Sequence, residues 1–178
     1  VYDDMGILSL DEKGTVKTSG TEIGAFVRLD DLDAGYSFKE LDRSVFMNPD
    51  KVNARIVIPI TEYKDVVAKH DVDMFLYANN YEEKGDSLSF FENVDDALKV
   101  FRAGNRMAKG TTTEYGLVGS YFANPFGPVQ RQDQCEPLLQ DYFQRMFDQG
   151  VKVGQLRTRL GIKGNEHNGP KEAAAEIL

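Results

Sequence analysis

The sequence is poor in cysteine and histidine, with one cysteine and two histidines in 178 residues. The single cysteine, Cys135, excludes an intramolecular disulfide and any structural zinc site built on cysteines. No apolar run approaches the roughly 18 residues of a membrane-spanning helix, so we expect no membrane insertion. The formal net charge of −8 argues against a nucleic-acid binder, because such proteins neutralise phosphates with lysine and arginine.

Motifs that carry common chemistries are also missing. There is no Gly-x-x-x-x-Gly-Lys-Ser/Thr loop for phosphates and no Gly-x-Gly-x-x-Gly turn for a dinucleotide. A Gly-x-Ser-x-Gly nucleophile and a His-Glu-x-x-His metal helix are absent as well. The acidic run that includes Asp31 fails as a calcium loop, because its sixth position is Tyr36 where glycine is needed. These absences argue against a common enzyme class and predict no cofactor and no metal.

Composition is that of a soluble globular protein, with 41% hydrophobic and 28% charged residues. The length fits one domain, or one domain with arms. The chain begins at Val1 and not at a methionine, which indicates either a removed presequence or a trimmed chain. The compartment therefore stays open, and a removed presequence would imply an organelle or an exported location.

The first stretch, 1–49, predicts an N-terminal β-rich extension. An apolar run at 5–10 precedes turn residues at 11–14, and this order is typical of a hairpin. Residues 22–29 are rich in β-branched and aromatic side chains, which favours a second strand.

The middle stretch, 50–122, predicts a ferredoxin-like βαββαβ module, and the whole chain is therefore expected to be α+β. Its two predicted helices are 61–70, ending at His70, and a second helix capped by the Asn93 side chain. The four predicted strands are 52–60, 71–78, 87–91 and 114–122.

The last stretch, 123–178, predicts a connecting segment and a C-terminal helical arm. Pro137 suits the first turn of a helix over 137–149, and Gly150 suits its C-terminal cap. Further helices are predicted over 153–160 and 171–178. We interpret one basic set as a solvent-exposed face: Lys152, Arg157, Arg159 and Lys163.

Aromatic side chains are concentrated in a stretch punctuated by glycine and proline, 115–126. Long irregular loops are uncommon inside domains unless they are functional, and tyrosine and phenylalanine are enriched in interfaces. We therefore predict a non-enzymatic scaffold, linker or accessory subunit that docks into a larger protein assembly through segment 115–126 and helix 137–149. The predicted partner-binding residues are Tyr115, Tyr121, Phe122, Phe126, Tyr142, Phe143 and Phe147.

Two alternatives stay open. The first is a small enzyme or ligand-binding domain, with a site near His70, Asp71 and Asp73 or near Cys135. A histidine beside aspartates can act as a general base, and a thiol near a helix N-terminus can be activated or carry a covalent group. The second alternative is a secreted or viral structural component.

Overall fold

A computed structural model describes residues 6–22, 24–28, 55–59, 61–108, 115–123 and 130–178. The chain divides into two units, Val1–Asp71 and Val72–Leu178. Helices and several small sheets occur together, which confirms the α+β class. The predicted domain boundaries after residues 49 and 122 stay predictions.

The first unit contains an antiparallel hairpin of β1 (Gly6–Leu10) and β2 (Val16–Gly20), where the turn residues predict one. The carboxylate of Asp11 closes the turn by accepting a hydrogen bond from the Thr15 backbone N–H at 2.8 Å. Gly14 has a φ of +79°, a left-handed conformation that favours glycine. A short aspartate–glycine turn thus sets the register of this hairpin.

The two other predicted strands of this region are also present. β3 (Gly24–Arg28) pairs with β4 (Arg55–Pro59) in an antiparallel ribbon, within the predicted ranges 22–29 and 52–60. A further short strand, β5 (His70–Asp71), pairs with the outer edge of β2.

The predicted helix over 61–70 is wrong in extent. Only one turn is helical, α1 (Tyr63–Val66), and His70 lies in β5 instead of at a helix end. Glu62 occupies the N-cap position without a capping hydrogen bond from its side chain. A single turn gains little against the cost of helix nucleation, and the β-branched pair that ends it favours extended backbone.

The described part of the second unit contains a three-stranded sheet, a two-stranded pair, three α-helices and a 3₁₀ turn. In chain order its elements are β6 (Met74–Asn79), β7 (Leu88–Phe90), α2 (Val94–Ala103), β8 (Arg106–Met107), β9 (Leu117–Val118), a 3₁₀ turn (Tyr121–Ala123), α3 (Gln132–Asp148), β10 (Lys152–Arg157) and α4 (Asn168–Ala175).

The central strand of the sheet comes from the C-terminal part of the chain. The strand order is β6-β10-β7, with β10 parallel to β6 and antiparallel to β7. The helix predicted over 153–160 is therefore wrong. The ferredoxin-like topology is not confirmed, because β4 pairs with β3, and the predicted strand 114–122 is reduced to β9 beside β8.

Helices α2 and α3 cover one face of this sheet through an aromatic core. The Phe101 ring lies 5.3 Å from Phe75 in a stacked geometry and 4.9 Å from Phe143 in an edge-to-face geometry. Leu98, Phe143 and Met146 are fully buried. Contacts of this kind add about 0.5–1.5 kcal/mol per aromatic pair beyond simple area burial.

The capping predictions for both long helices are confirmed. The Asn93 side chain accepts a hydrogen bond from the Asp96 backbone N–H at 2.9 Å, at the start of α2. Gly150, with φ of +77°, directly follows the C-cap of α3. However, α3 begins at Gln132, five residues before Pro137, so the proline lies inside the helix instead of in its first turn.

Two arginines predicted to lie on a solvent-exposed face instead hold the loop before β7. Arg157 donates to the Glu82 carboxylate at 2.6 Å and to the Ser89 hydroxyl at 2.9 Å. Arg159 donates to the backbone carbonyls of Glu83, at 3.0 Å, and Gly85, at 2.7 Å. Both side chains are largely buried, so this loop is fixed to the end of β10.

Candidate docking surface and the latch segment beside it

The predicted docking helix has one buried face and one accessible face. Leu139, Phe143 and Met146 point into the core, as the spacing of three and four residues requires. Leu138, one position away, keeps 59% of its surface exposed. The helix is thus anchored by some of its apolar residues and presents another to the outside.

The described start of segment 115–126 contains β9, which pairs with β8, and carries exposed large side chains. β8 and β9 pair through Arg106–Val118 and Met107–Leu117, and the Ala108 N–H donates to the Gly116 carbonyl at 2.9 Å. Tyr115 is 85% exposed and Leu117 is 55% exposed. The backbone of β9 is therefore paired with β8, while the side chains of Tyr115 and Leu117 are largely exposed.

Residues 119–123, here called the latch segment, follow β9 and are attached to both α2 and α3. The Tyr121 hydroxyl donates to a carboxylate oxygen of Glu136 at 2.8 Å. Arg102 of α2 donates to the other oxygen of the same carboxylate and, at 3.2 Å, to the Gln140 side chain. One carboxylate of α3 therefore joins the latch segment to the neighbouring helix.

The electrostatics of this cluster follow from those contacts. The hydrogen bond from Arg102 holds the pKa of Glu136 below its ordinary value, against the opposing effect of partial burial. Burial, and next the hydrogen bond to Glu136, raise the pKa of Tyr121 well above its ordinary value. At neutral pH the cluster thus consists of a carboxylate, a guanidinium and a neutral phenol.

Phe122 continues the latch segment in an unusual backbone conformation. Its φ of 54° and ψ of 33° lie in the left-handed region, which is unfavourable for a residue with a Cβ. Its ring contacts Phe101 of α2, with centroids 6.1 Å apart. Packing and the neighbouring Tyr121–Glu136 hydrogen bond therefore hold a strained residue in place.

The structure separates the six described members of the predicted partner-binding set into three groups by exposure. Tyr115 is exposed, and Phe126 lies outside the described residues. Phe143 is fully buried in the core of its own unit. The half-buried members are Tyr121, Phe122, Tyr142 and Phe147.

The residues of the alternative site have structural partners of their own. The His70 ring nitrogen Nε2 lies 2.6 Å from the Asp65 carbonyl, and Asp71 forms an ion pair with Lys17. Asp73 lies at the start of the other unit, where its carbonyl accepts from the Lys152 N–H at 3.0 Å. His70 and Asp71 belong to one unit, whereas Asp73 and Cys135 belong to the other.

Cys135 is half-buried, unpaired with any other cysteine, and near enough to Tyr121 to contribute to the raised pKa of that phenol. It lies one position before Glu136, at the edge of the latch segment. Within the described ranges, no group of three or more histidine, cysteine, aspartate or glutamate residues is arranged to hold a metal ion. Across the same residues, no helix has the length and apolar character that crossing a bilayer requires.

Sequence reasoning missed the cluster of Arg102, Glu136 and Tyr121. Arg102 and Glu136 are 34 residues apart and lie on different helices, so no local spacing brings them together. The available signal was Tyr121 itself, since a tyrosine hydroxyl in a half-buried segment needs a hydrogen-bonding partner. That signal predicts a hydrogen-bond acceptor for the Tyr121 hydroxyl but does not identify Glu136 as the acceptor.

Comparisons with protein-family models, with curated proteins and with solved structures find no match for this chain.

Proposed function

We propose that this protein is a non-enzymatic docking subunit, a scaffold, linker or accessory component, that binds a protein partner in a larger assembly. The observation that carries the proposal is the exposure of Tyr115, Leu117 and Leu138, which we call the docking residues. All three lie in the segments for which the sequence predicts docking, 115–126 and 137–149. Large apolar side chains at such exposure gain roughly 25 cal/mol per Å² when a partner covers them.

The way these residues are held supports the proposal. Leu117 lies in β9, which is paired with β8, and Leu138 lies on a helix anchored through Phe143 and Met146. A surface with a fixed backbone loses little conformational entropy on binding, so more of the contact energy becomes affinity. Tyrosine in particular is frequent among residues that dominate interface energetics.

Charge supports a protein partner over a nucleic acid. The chain carries a formal net charge of −8, and phosphate recognition needs an excess of lysine and arginine on the binding face. The docking residues themselves are uncharged. We therefore assign the surface to an apolar patch on another protein, with neither nucleic acid nor membrane insertion involved.

Site-specific photo-cross-linking tests this proposal. A photoreactive phenylalanine analogue is placed at Tyr115, at Leu138 and, as the matched control, at Tyr63, which is 62% exposed in the other unit. In the source cells we expect the probes at Tyr115 and Leu138 to give the same discrete cross-linked protein and the probe at Tyr63 to give none of it. Equal cross-linking at all three positions, or none at any, contradicts the proposal.

A second variant excludes chance labelling. Replacing Leu117 with serine removes one docking residue without touching the core, so the cross-link from Tyr115 should weaken by at least about tenfold if Leu117 is a central contact. A cross-link that survives Leu117→Ser unchanged shows that the probe is captured by proximity and not by docking.

A further inference from the structure

The latch segment contains one strained residue, and its described attachments lead to both neighbouring helices. Phe122 has its left-handed φ of 54°, and the segment is attached by the Tyr121–Glu136 bond, the Phe122–Phe101 ring contact and a 3.3 Å bond from the Ser120 N–H to the Gly104 carbonyl. Opening the segment would relieve the strain at Phe122. Local opening of a few residues costs less free energy than unfolding of the core.

Two groups lie against the closed latch segment. The half-buried Cys135 thiol lies near enough to Tyr121 to influence its pKa, and the Phe101 ring, only 5% exposed, contacts Phe122. Movement of residues 119–123 away from the helices would uncover both. Because the open form exposes aromatic surface beside α3, closing and opening change the area available for binding.

The charge on Glu136 decides how firmly the segment is held. Among the described residues, the charged or titratable groups bonded to Glu136 are Arg102 from α2 and Tyr121 from the latch segment, while Cys135 of the same helix lies near Tyr121. Ionised Glu136 accepts hydrogen bonds from both Arg102 and Tyr121. Protonated Glu136 loses the attraction to the guanidinium and accepts more weakly, so both bonds weaken together.

We propose that residues 119–123 form a pH-sensitive latch, closed on α2 and α3 by Tyr121 and Arg102 sharing the ionised Glu136, which opens locally on acidification and uncovers Cys135 and Phe101. The device belongs to the second unit alone. It does not depend on which partner the docking residues contact, nor on whether they contact one.

Thiol labelling tests the latch in the full chain, because Cys135 is its only cysteine. The rate of reaction with dithiodipyridine, which also labels thiols in acid, is measured for the wild type, Tyr121→Phe and Glu136→Gln. At neutral pH we expect each variant to react roughly ten- to hundredfold faster, the size of one lost charge-assisted hydrogen bond. The matched control is Asp141→Asn, which breaks an exposed ion pair with Arg145 on the same helix and should leave the rate unchanged.

The pH dependence separates the latch from a general loosening. The ratio of the Glu136→Gln rate to the wild-type rate cancels the intrinsic reactivity of the thiol at each pH. We expect this ratio to fall to about one as the pH drops through the pKa of Glu136, because the wild-type carboxyl is then also neutral. A ratio of one at neutral pH, or a ratio that does not change on acidification, overturns the proposal.

Global unfolding would also expose the Cys135 thiol, so it is measured separately. The free energy of unfolding in urea is determined for the same variants. If the labelling rate rises only in proportion to the globally unfolded fraction, residues 119–123 do not open on their own. This outcome also overturns the proposal. Acceleration beyond that proportion, confined to the two latch variants, supports it.

Discussion

Gly154 of the central strand lies directly opposite Phe90 of the neighbouring strand, and a Cβ at Gly154 would lie 2.9 Å from Cδ1 of the Phe90 ring. The same Cβ would lie 2.4 Å from the Ser89 carbonyl oxygen, which is backbone and cannot turn away. The glycine thus lets β7 approach β10 closely. The Phe90 ring in turn lies beneath the ammonium group of Lys152, 5.7 Å from it.

The first prediction concerns this close approach. Gly154→Ala should lower the free energy of unfolding by about 2 kcal/mol, because an overpacked backbone contact forces the strands apart. Urea unfolding followed by circular dichroism measures the change. Lys152→Ala, which removes only the exposed cation above the ring, is the control and should cost about 0.5–1 kcal/mol. A Gly154→Ala protein as stable as the wild type would contradict the strand pairing.

The second prediction concerns the arginine that holds the loop before β7. Arg157→Lys keeps the charge but loses the planar fork that reaches Glu82, Ser89 and the Asp86 carbonyl together. We expect a loss of about 1–2 kcal/mol, with faster amide hydrogen exchange over 82–87. Lys84→Ala, an exposed change in the same loop, is the control. Unchanged exchange in Arg157→Lys would show that the arginine does not order the loop.

The third prediction concerns the start of α2. Asn93→Ala removes the side-chain acceptor for the Asp96 N–H and should cost about 1 kcal/mol, whereas Asn93→Ser should keep most of the stability. The free energy of unfolding of the three proteins gives the comparison. Equal losses for alanine and serine would mean that the capping oxygen contributes nothing and that another feature of Asn93 is responsible.

The fourth prediction concerns alkaline pH. Burial raises the pKa of Tyr77 from 10.0 to about 12, and its hydroxyl donates to the Asn105 carbonyl at 2.5 Å. A group whose pKa is raised by folding stabilises the protein fully below its unfolded pKa and loses that effect as the pH rises. Stability should therefore fall between pH 10 and about 12.

Comparison of unfolding curves across that interval checks the alkaline prediction. Tyr77→Phe removes the ionisable group, so its stability should be lower at neutral pH but should fall less steeply between pH 10 and about 12. Tyr63→Phe, at an exposed tyrosine, is the control and should follow the wild type. Parallel pH profiles for Tyr77→Phe and the wild type would contradict the assignment.

The sequence pattern predicts elements best where local signals suffice. Asn93 followed by an apolar stripe predicts α2, and the aspartate–glycine turn predicts where the first hairpin reverses direction. The pattern places the next strand at 22–29 and misses β2, because Lys17, Thr18 and Ser19 form a polar run with no strand-like alternation of apolar residues. Short strands that depend on pairing with distant parts of the chain are therefore the hardest to predict from the sequence.

The larger error, a helix in place of β10, has a related cause. Val153, Leu156 and Leu160 are spaced as on a helix, and periodicity alone does not separate a short buried strand from a helix. Only the pairing with β6 and β7, both more than 60 residues earlier in the chain, decides the matter. The Arg102–Glu136 contact escapes prediction for the same reason, because its partners meet only after α2 and α3 pack.

The native mass of the protein in its source cells tests the docking account most directly. Wild-type protein is compared with a triple variant, Tyr115→Ser, Leu117→Ser and Leu138→Ser, that alters only the exposed docking residues. The account predicts that the wild type migrates in an assembly well above its own 20.0 kDa, whereas the folded variant migrates as the free chain. Identical migration of the two proteins, whether as a free chain or in an assembly, would contradict it.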